Sequence, residues 1–238
     1  LLTQWFGKRL QEPGEERFAF VEEFERRPAG LLRTAGLRPT AEEVEIGEGW
    51  TIEGDGEAAA AAAHLRWFLE HRMRAKTGAG PGQIRLRIDG TNAGWRAGIG
   101  MDGIGVLAQD AWNLQRAVYE LERQMERREA PFLRMGEPRG REVWSPRYCY
   151  SYFALYGDPL MEGDAAGLPD GYLERAAMAG MGGVWIQAVL NNLAPSTAFP
   201  EFGEGCETRL ANLRKLVARA DKFGLKIYLY LNEPRAMP

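Results

Sequence analysis

Hydrophobic and polar positions change their period several times along the chain, and each change marks an element. Residues Gln83 to Asp89 alternate, with Ile84, Leu86 and Ile88 against Arg85 and Arg87, the period of a half-buried strand. Gly94 to Met101 and Ile104 to Gln109 predict the arms of a hairpin around Asp102-Gly103, a dipeptide suited to a type I′ turn. From Ala111 to Arg128, the residues Leu114, Ala117, Val118, Leu121 and Met125 recur at helical spacing with charges elsewhere. That stretch predicts an amphipathic helix with one face in a core. Another helix is expected over Glu57 to Lys76, with Ala60, Ala63, Trp67 and Met73 near its inner face. Short strands at Gly49 to Ile52 and Pro131 to Gly136 complete the order β, α, β, β, β, α, β. Residues 44–136 are therefore expected to form a compact α+β domain.

Past Glu142 the pattern switches. An aromatic run at Tyr148 to Tyr156 and continuous apolar runs at Gly183 to Leu190 and Leu225 to Leu231 alternate with helical stretches, Gly171 to Met181 and Glu207 to Phe223. Strand, helix, strand, helix, strand with unbroken apolar strands predicts a parallel sheet buried on both faces. Gly180 and Gly224 stand where these helices need C-caps. Such a unit opens a (β/α)8 barrel, a fold of about 250 residues, so residues 144–238 are expected to hold only strands one to three. The edge along Leu225 to Leu231 would then be unpaired and prone to self-association. Residues 137–143 read as a linker. Residues 1–43, with helical patterns at Leu2 to Leu10 and Arg17 to Arg27, read as an N-terminal extension. A start without Met and a stop just after a strand signal predict a piece of a longer protein.

Composition narrows the classes. A chain of 238 residues, 45% hydrophobic and 26% charged, is not disordered, collagenous or a coiled coil. Its net charge of −3 lacks the basic footprint of a nucleic-acid binder. No window reaches the roughly 18–20 apolar residues of a membrane span. A soluble protein without nucleic-acid or membrane partners is expected, its compartment and oligomeric state left open. Cys149 and Cys206 lack CxxC spacing, which predicts unpaired thiols rather than a zinc ribbon. Gly98 to Gly103 matches GxGxxG literally, but a strand follows where nucleotide binding needs a helix, so the glycines read as a hairpin and no nucleotide is expected. His64 and His71 stand two helical turns apart, too far to share a metal without other ligands, and no Ser-His-Asp set can be assembled. No cofactor or metal is expected.

The more informative residues follow the predicted parallel strands, where barrel enzymes collect their chemistry. These are Tyr156 and Asp158 after the first, Gln187, Asn191 and Asn192 after the second, and Asn232, Glu233 and Arg235 after the third. Carboxylates, amides, an Arg and aromatic faces suit a hydroxyl-rich ligand. Exposed loops are also rich in such residues for solvation alone, and both readings stay open.

A resemblance bears on the choice. The segments "IEGDGEAAAAAAHLRWFLEHR", "GQIRLRID", "GIGVLAQDAWNLQRAVYELERQM" and "APFLRMG" resemble the α+β domain that precedes the barrel in family 20 glycoside hydrolases, the β-N-acetylhexosaminidases, and in related α-glucuronidases. The later segments "SPRYCYSYF", "GGVWIQAVL" and "LRKLVARADKFGLKIYLYLNEP" are similar to the first three strands of that barrel. The resemblance implies glycosidic bond cleavage by paired carboxylates, on a carbohydrate substrate. The family's Asp-Glu pair follows strand four, which implies catalytic residues beyond residue 238. It further implies that Arg147 matches an Arg gripping sugar hydroxyls, although Tyr148 stands where the family has Gly. Asn232-Glu233 resembles the Asn-Glu acid/base pair of another glycosidase clan, which makes Glu233 a candidate acid/base and otherwise a sugar ligand. The alternative is a non-catalytic carbohydrate-binding or scaffold protein with the same residues and no acid at bonding distance.

Overall fold

A computed structural model describes residues 24, 26–28, 30–91, 93–150, 158–161 and 168–232. The expected helix at Leu2 to Leu10 lies outside them, as does most of that at Arg17 to Arg27. The described elements run β1 (Glu43–Glu45), β2 (Trp50–Glu53), α1 (Ala59–His71), β3 (Gly82–Ile88), β4 (Trp95–Ile99), β5 (Gly103–Ala108), α2 (Ala111–Arg128), β6 (Phe132–Arg134) and β7 (Arg139–Gly140). They continue with β8 (Tyr148–Tyr150), α3 (Asp170–Met178), β9 (Gly183–Val189), α4 (Leu190–Leu193), α5 (Cys206–Asp221) and β10 (Lys226–Asn232).

Three sheets result. The largest has the order β2-β3-β5-β4-β7, with β2, β3 and β5 parallel and β4 antiparallel to both β5 and β7. Alternation decides which face is covered: Ile84, Leu86, Ala97, Ile99, Ile104 and Val106 are buried with α1 and α2, while Arg85, Arg87 and Arg96 face away and are exposed. β1 pairs with β6 in a separate two-stranded sheet. β8, β9 and β10 form a parallel sheet with β9 in the centre.

Helix α2 holds the large sheet and the parallel sheet together. Its start is fixed by Asp110, whose carboxylate accepts from Asn113 N at 2.7 Å, the usual N-cap bond. Leu114, Ala117, Val118, Leu121 and Met125 join the core under the large sheet, whereas Tyr119 on the other face joins the core beneath the parallel sheet. From that second face Arg116 donates to the carbonyls of Ala177, at 2.8 Å, and Met181, and Arg123 donates to Met178 O at 3.0 Å. These guanidinium groups sit at the C-terminal end of α3, where carbonyls lack helical partners and cations are favoured. Tyr119 Oη donates to Phe223 O at 3.2 Å, and burial pushes its phenol well above the ordinary range.

A charged cluster is buried at the same junction. Glu174 accepts from Arg27 at 2.7 and 2.8 Å, and a third bond from Arg27, 3.0 Å to His64 Nδ1, makes that nitrogen an acceptor. The ring proton then belongs on Nε2, which donates to Glu122 Oε2 at 3.3 Å. Glu122 and Glu174 are fully buried. Desolvation pushes the Glu122 carboxyl above the usual range; His64 opposes the shift, and Glu174 and Glu126 add to it.

Several expectations need correction. Helix α1 starts after a 3-10 turn at Gly56–Ala58 and stops at His71, well short of Lys76. It buries Ala61, Ala62, His64, Leu65, Phe68 and Leu69, leaving Ala60 and Ala63 exposed. The large side chains set its face, and alanines are poor markers of one. Linker residues Arg139 and Gly140 pair with β4 as a strand. The parallel strands are not buried on both faces: Val184, Ile186 and Ala188 are buried against the helices, while Trp185 and Gln187 are only half-buried and Leu229, Tyr230 and Leu231 are exposed. The glycine caps do occur, Gly180 at φ 87° and Gly224 at φ 66°.

Candidate functional site

The parallel sheet's uncovered face carries a row of rings. Register places Tyr148 beside Gly183, Tyr150 and Tyr228 beside Trp185, and Tyr230 beside Gln187, so period 2 directs all of them to one face. Tyr150 stacks on Trp185 with centroids 4.2 Å apart and planes at 27°. Tyr230 meets the same indole at 5.4 Å nearly edge-on, and Tyr148 approaches Tyr228 at 5.1 Å. Gly183 makes this possible, because a Cβ there would collide with the Tyr228 ring and with Lys226 O. Tyr148 and Tyr230 are both 48% exposed, so among the described residues both rings reach the surface. The sequence marked none of these five as a site residue. The signal was aromatic residues at i, i+2, in the aromatic run at Tyr148 to Tyr156 and in the runs at Gly183 to Leu190 and Leu225 to Leu231 that read as continuously apolar.

Polar groups gather where the strands end. Asp158, in the connection after β8, caps Leu160 N at 3.0 Å through Oδ1 and holds Arg209 at 2.6 Å through Oδ2. Arg209, from the first turn of α5, also donates to Asn192 O at 3.4 Å and to Glu204 O. One guanidinium thus ties the segments following β8 and β9 to the start of α5. Asn191, on the short helix α4 directly after β9, accepts from Gly203 N at 2.6 Å through its backbone carbonyl. Its side-chain Oδ1 is buried and accepts no bond among the described residues. Gln187 stands on the ring-bearing face level with Tyr230. Asp158, Gln187 and Asn191 are therefore brought to one end, and Arg209 was missed because a lone Arg on an amphipathic helix carries no sequence signal.

Other predicted residues fall elsewhere. Asn232 ends β10 opposite Val189. Tyr156, Glu233 and Arg235 lie outside the described residues. Arg147 is not brought to this group: it precedes β8, its carbonyl accepts from Gly182 N at 2.7 Å, and its guanidinium lies against Gly180. It occupies the N-terminal end of the parallel strands, about 20 Å from the other end for seven residues at 3.3 Å each. Arg147 therefore stands apart from Asp158, Gln187 and Asn191. No group of three or more His, Cys, Asp or Glu suited to a metal occurs among the described residues. No helix among them is long and apolar enough to cross a membrane.

Comparison with known proteins bears on the fold. No protein-family model matches the sequence, and no curated protein does. Among solved structures the chain is similar to a family 20 β-N-acetylhexosaminidase from Streptomyces coelicolor A3(2), at 16% identity and a TM-score of 0.56 over 84% of this chain and 45% of that one. It is similar to a Streptomyces plicatus β-hexosaminidase, at 15% identity and 0.54 over 84% of this chain and 44% of that one. A family 138 enzyme targeting pectin rhamnogalacturonan II matches at 14% identity and 0.56, over 74% of this chain and 23% of that one. The chain thus has a mixed α/β fold of the glycoside hydrolase type and spans less than half the length of these structures.

Proposed function

We propose that this chain is the front part of a glycoside hydrolase, in which an α+β domain precedes strands one to three of a (β/α)8 barrel. The observation that carries the reading is the row Tyr148, Tyr150, Trp185, Tyr228 and Tyr230, open on one face and bordered by Asp158, Gln187 and Asn191 at the strand ends. Pyranose rings present apolar C–H faces to aromatic rings and hydroxyls to amides and carboxylates. In a closed barrel this face would line the interior. Tyr156, Asn232, Glu233 and Arg235 extend the same shell in this reading. The pair of carboxylates that cleaves a glycosidic bond is assigned beyond the third strand, with Glu233 as the candidate within this chain.

A binding module without catalysis is the second reading. It is favoured by Asp158, whose carboxylate is already engaged by Arg209 and the Leu160 amide and so is not held for proton transfer. The test is to assay the full-length protein on a panel of aryl glycosides, beginning with N-acetylhexosaminides because the Streptomyces neighbours act on them by name. Hydrolysis that falls about tenfold or more in kcat/KM on Trp185→Ala, a loss of about 1.4 kcal/mol, supports the enzyme. Oligosaccharide binding with no hydrolysis of any member supports the module. Neither binding nor hydrolysis overturns both.

A further inference from the structure

At the opposite end of the parallel strands a cleft of about 340 Å³ lies between α2 and the turn after α3. Four arginines line it, Arg116, Arg123, Arg141 and Arg147, against one carboxylate, Glu142. We propose that this cleft is a binding site for an oxyanion, a carboxylate or phosphate group, distinct from the ring-bearing face.

Three observations support it. First, charge is unbalanced: Arg123 is paired with Glu120 on its own helix, but no ion pair or side-chain hydrogen bond among the described residues involves Arg141 or Arg147. Secondly, donors are left over. Arg116 uses one hydrogen bond from each terminal nitrogen, to Ala177 O and Met181 O, out of the five N–H groups a guanidinium carries. The Nε1–H of Trp112, another lining residue, is buried and meets no acceptor among the described residues. Thirdly, the cationic state is under strain. Burial, and then the charges of Arg147 and Arg123, pull the Arg116 guanidinium down to about 10, against the pull of Tyr119 and Glu142. An anion seated among Arg116, Arg141 and Arg147 would satisfy donors and offset the repulsion at once, and guanidinium forks match planar oxyanions in geometry.

The assignment does not depend on the glycosidase reading, since it uses none of the same residues. Trp95 also lines the cleft and offers a ring to a cyclic ligand, so the oxyanion has two candidate sources, a free inorganic anion or an acidic sugar.

Calorimetric titration of the full-length protein with inorganic phosphate, glucuronate and glucose at low salt tests the site. We expect saturable binding of at least one anion, weakened about tenfold or more by Arg147→Gln and by Arg141→Gln, and weakened by added salt. Both side chains are exposed, so these variants should keep the wild-type circular dichroism spectrum and melting temperature. Phosphate bound with glucuronate refused assigns a free anion, and glucuronate bound more tightly than phosphate assigns an acidic sugar. No binding of either anion, binding unchanged in both variants, or glucose bound as well as glucuronate overturns the proposal.

Discussion

The five-stranded sheet and the three-stranded sheet solve the same packing problem with different side chains. Under the first, aliphatic residues and Phe68 interlock with α1 and α2, and the far face carries solvated arginines. In the second, the aliphatic residues Val184 and Ile186 again point to the helices, but the far face carries five aromatic rings, two of them nearly half exposed. Arginines on an open sheet face need only water, whereas exposed rings forfeit apolar contact unless something covers them. The contrast separates a layer that serves as foundation from a layer that presents a surface.

Substitutions in the two layers should therefore differ in kind. Phe68→Ala, in the closed core, should lower unfolding free energy by about 3–5 kcal/mol. Trp185→Ala should lower it by only about 1–2 kcal/mol, since it removes ring–ring contacts of about 0.5–1.5 kcal/mol each, while weakening oligosaccharide binding about tenfold or more. Denaturant melts of both variants read this directly, and equal losses would erase the distinction. Gly183→Ala sharpens it further: the added methyl meets Tyr228 and Lys226 O, so a cost of about 1–3 kcal/mol is expected from overpacking, whereas Gly105→Ala in the closed layer, with nothing within 4 Å of the added methyl, should avoid that cost.

The junction between the layers supplies a pH test. Glu122 is held above the usual carboxylate range by burial, so the fold favours its protonated form. Its contribution is fully present below the unfolded-state value and is lost as pH rises through the folded one. Glu122→Gln, which keeps a neutral side chain at every pH, should gain stability relative to wild type as pH rises from about 4. Urea midpoints for the two proteins that run parallel across pH would contradict this. The smallest effect is expected at the start of α2: Asp110→Ala removes the bond to Asn113 N and should cost about 1 kcal/mol, readable as a shift in melting temperature.

Much of the foundation layer was legible because its signals are local. Leu114 to Met125 repeats at helical spacing on a helix long enough to show it, and Ile84 to Ile88 alternates cleanly. β1 and β7 were not legible: Glu43–Glu45 and Arg139–Gly140 are strands only because β6 and β4 lie beside them, and three residues or two hold no period. The polar shell was half legible. Asp158, Gln187 and Asn191 follow from knowing where parallel strands end, but Arg209 joins Asp158 across 51 positions, which no local pattern reports. The place of Arg147 was not legible, because a residue beside a strand does not say at which end of the sheet its side chain will lie.

The two-faced character of α2 also has a consequence for the order in which the molecule is made. Synthesis proceeds from the N-terminus at about 5–20 residues per second, so the large sheet and α2 leave the ribosome before α3 exists. During that interval the face awaiting α3 shows Arg116, Glu122 and Arg123 around Tyr119, groups that water solvates readily. The late arrival of α3 then trades the hydration of these groups for guanidinium-to-carbonyl bonds.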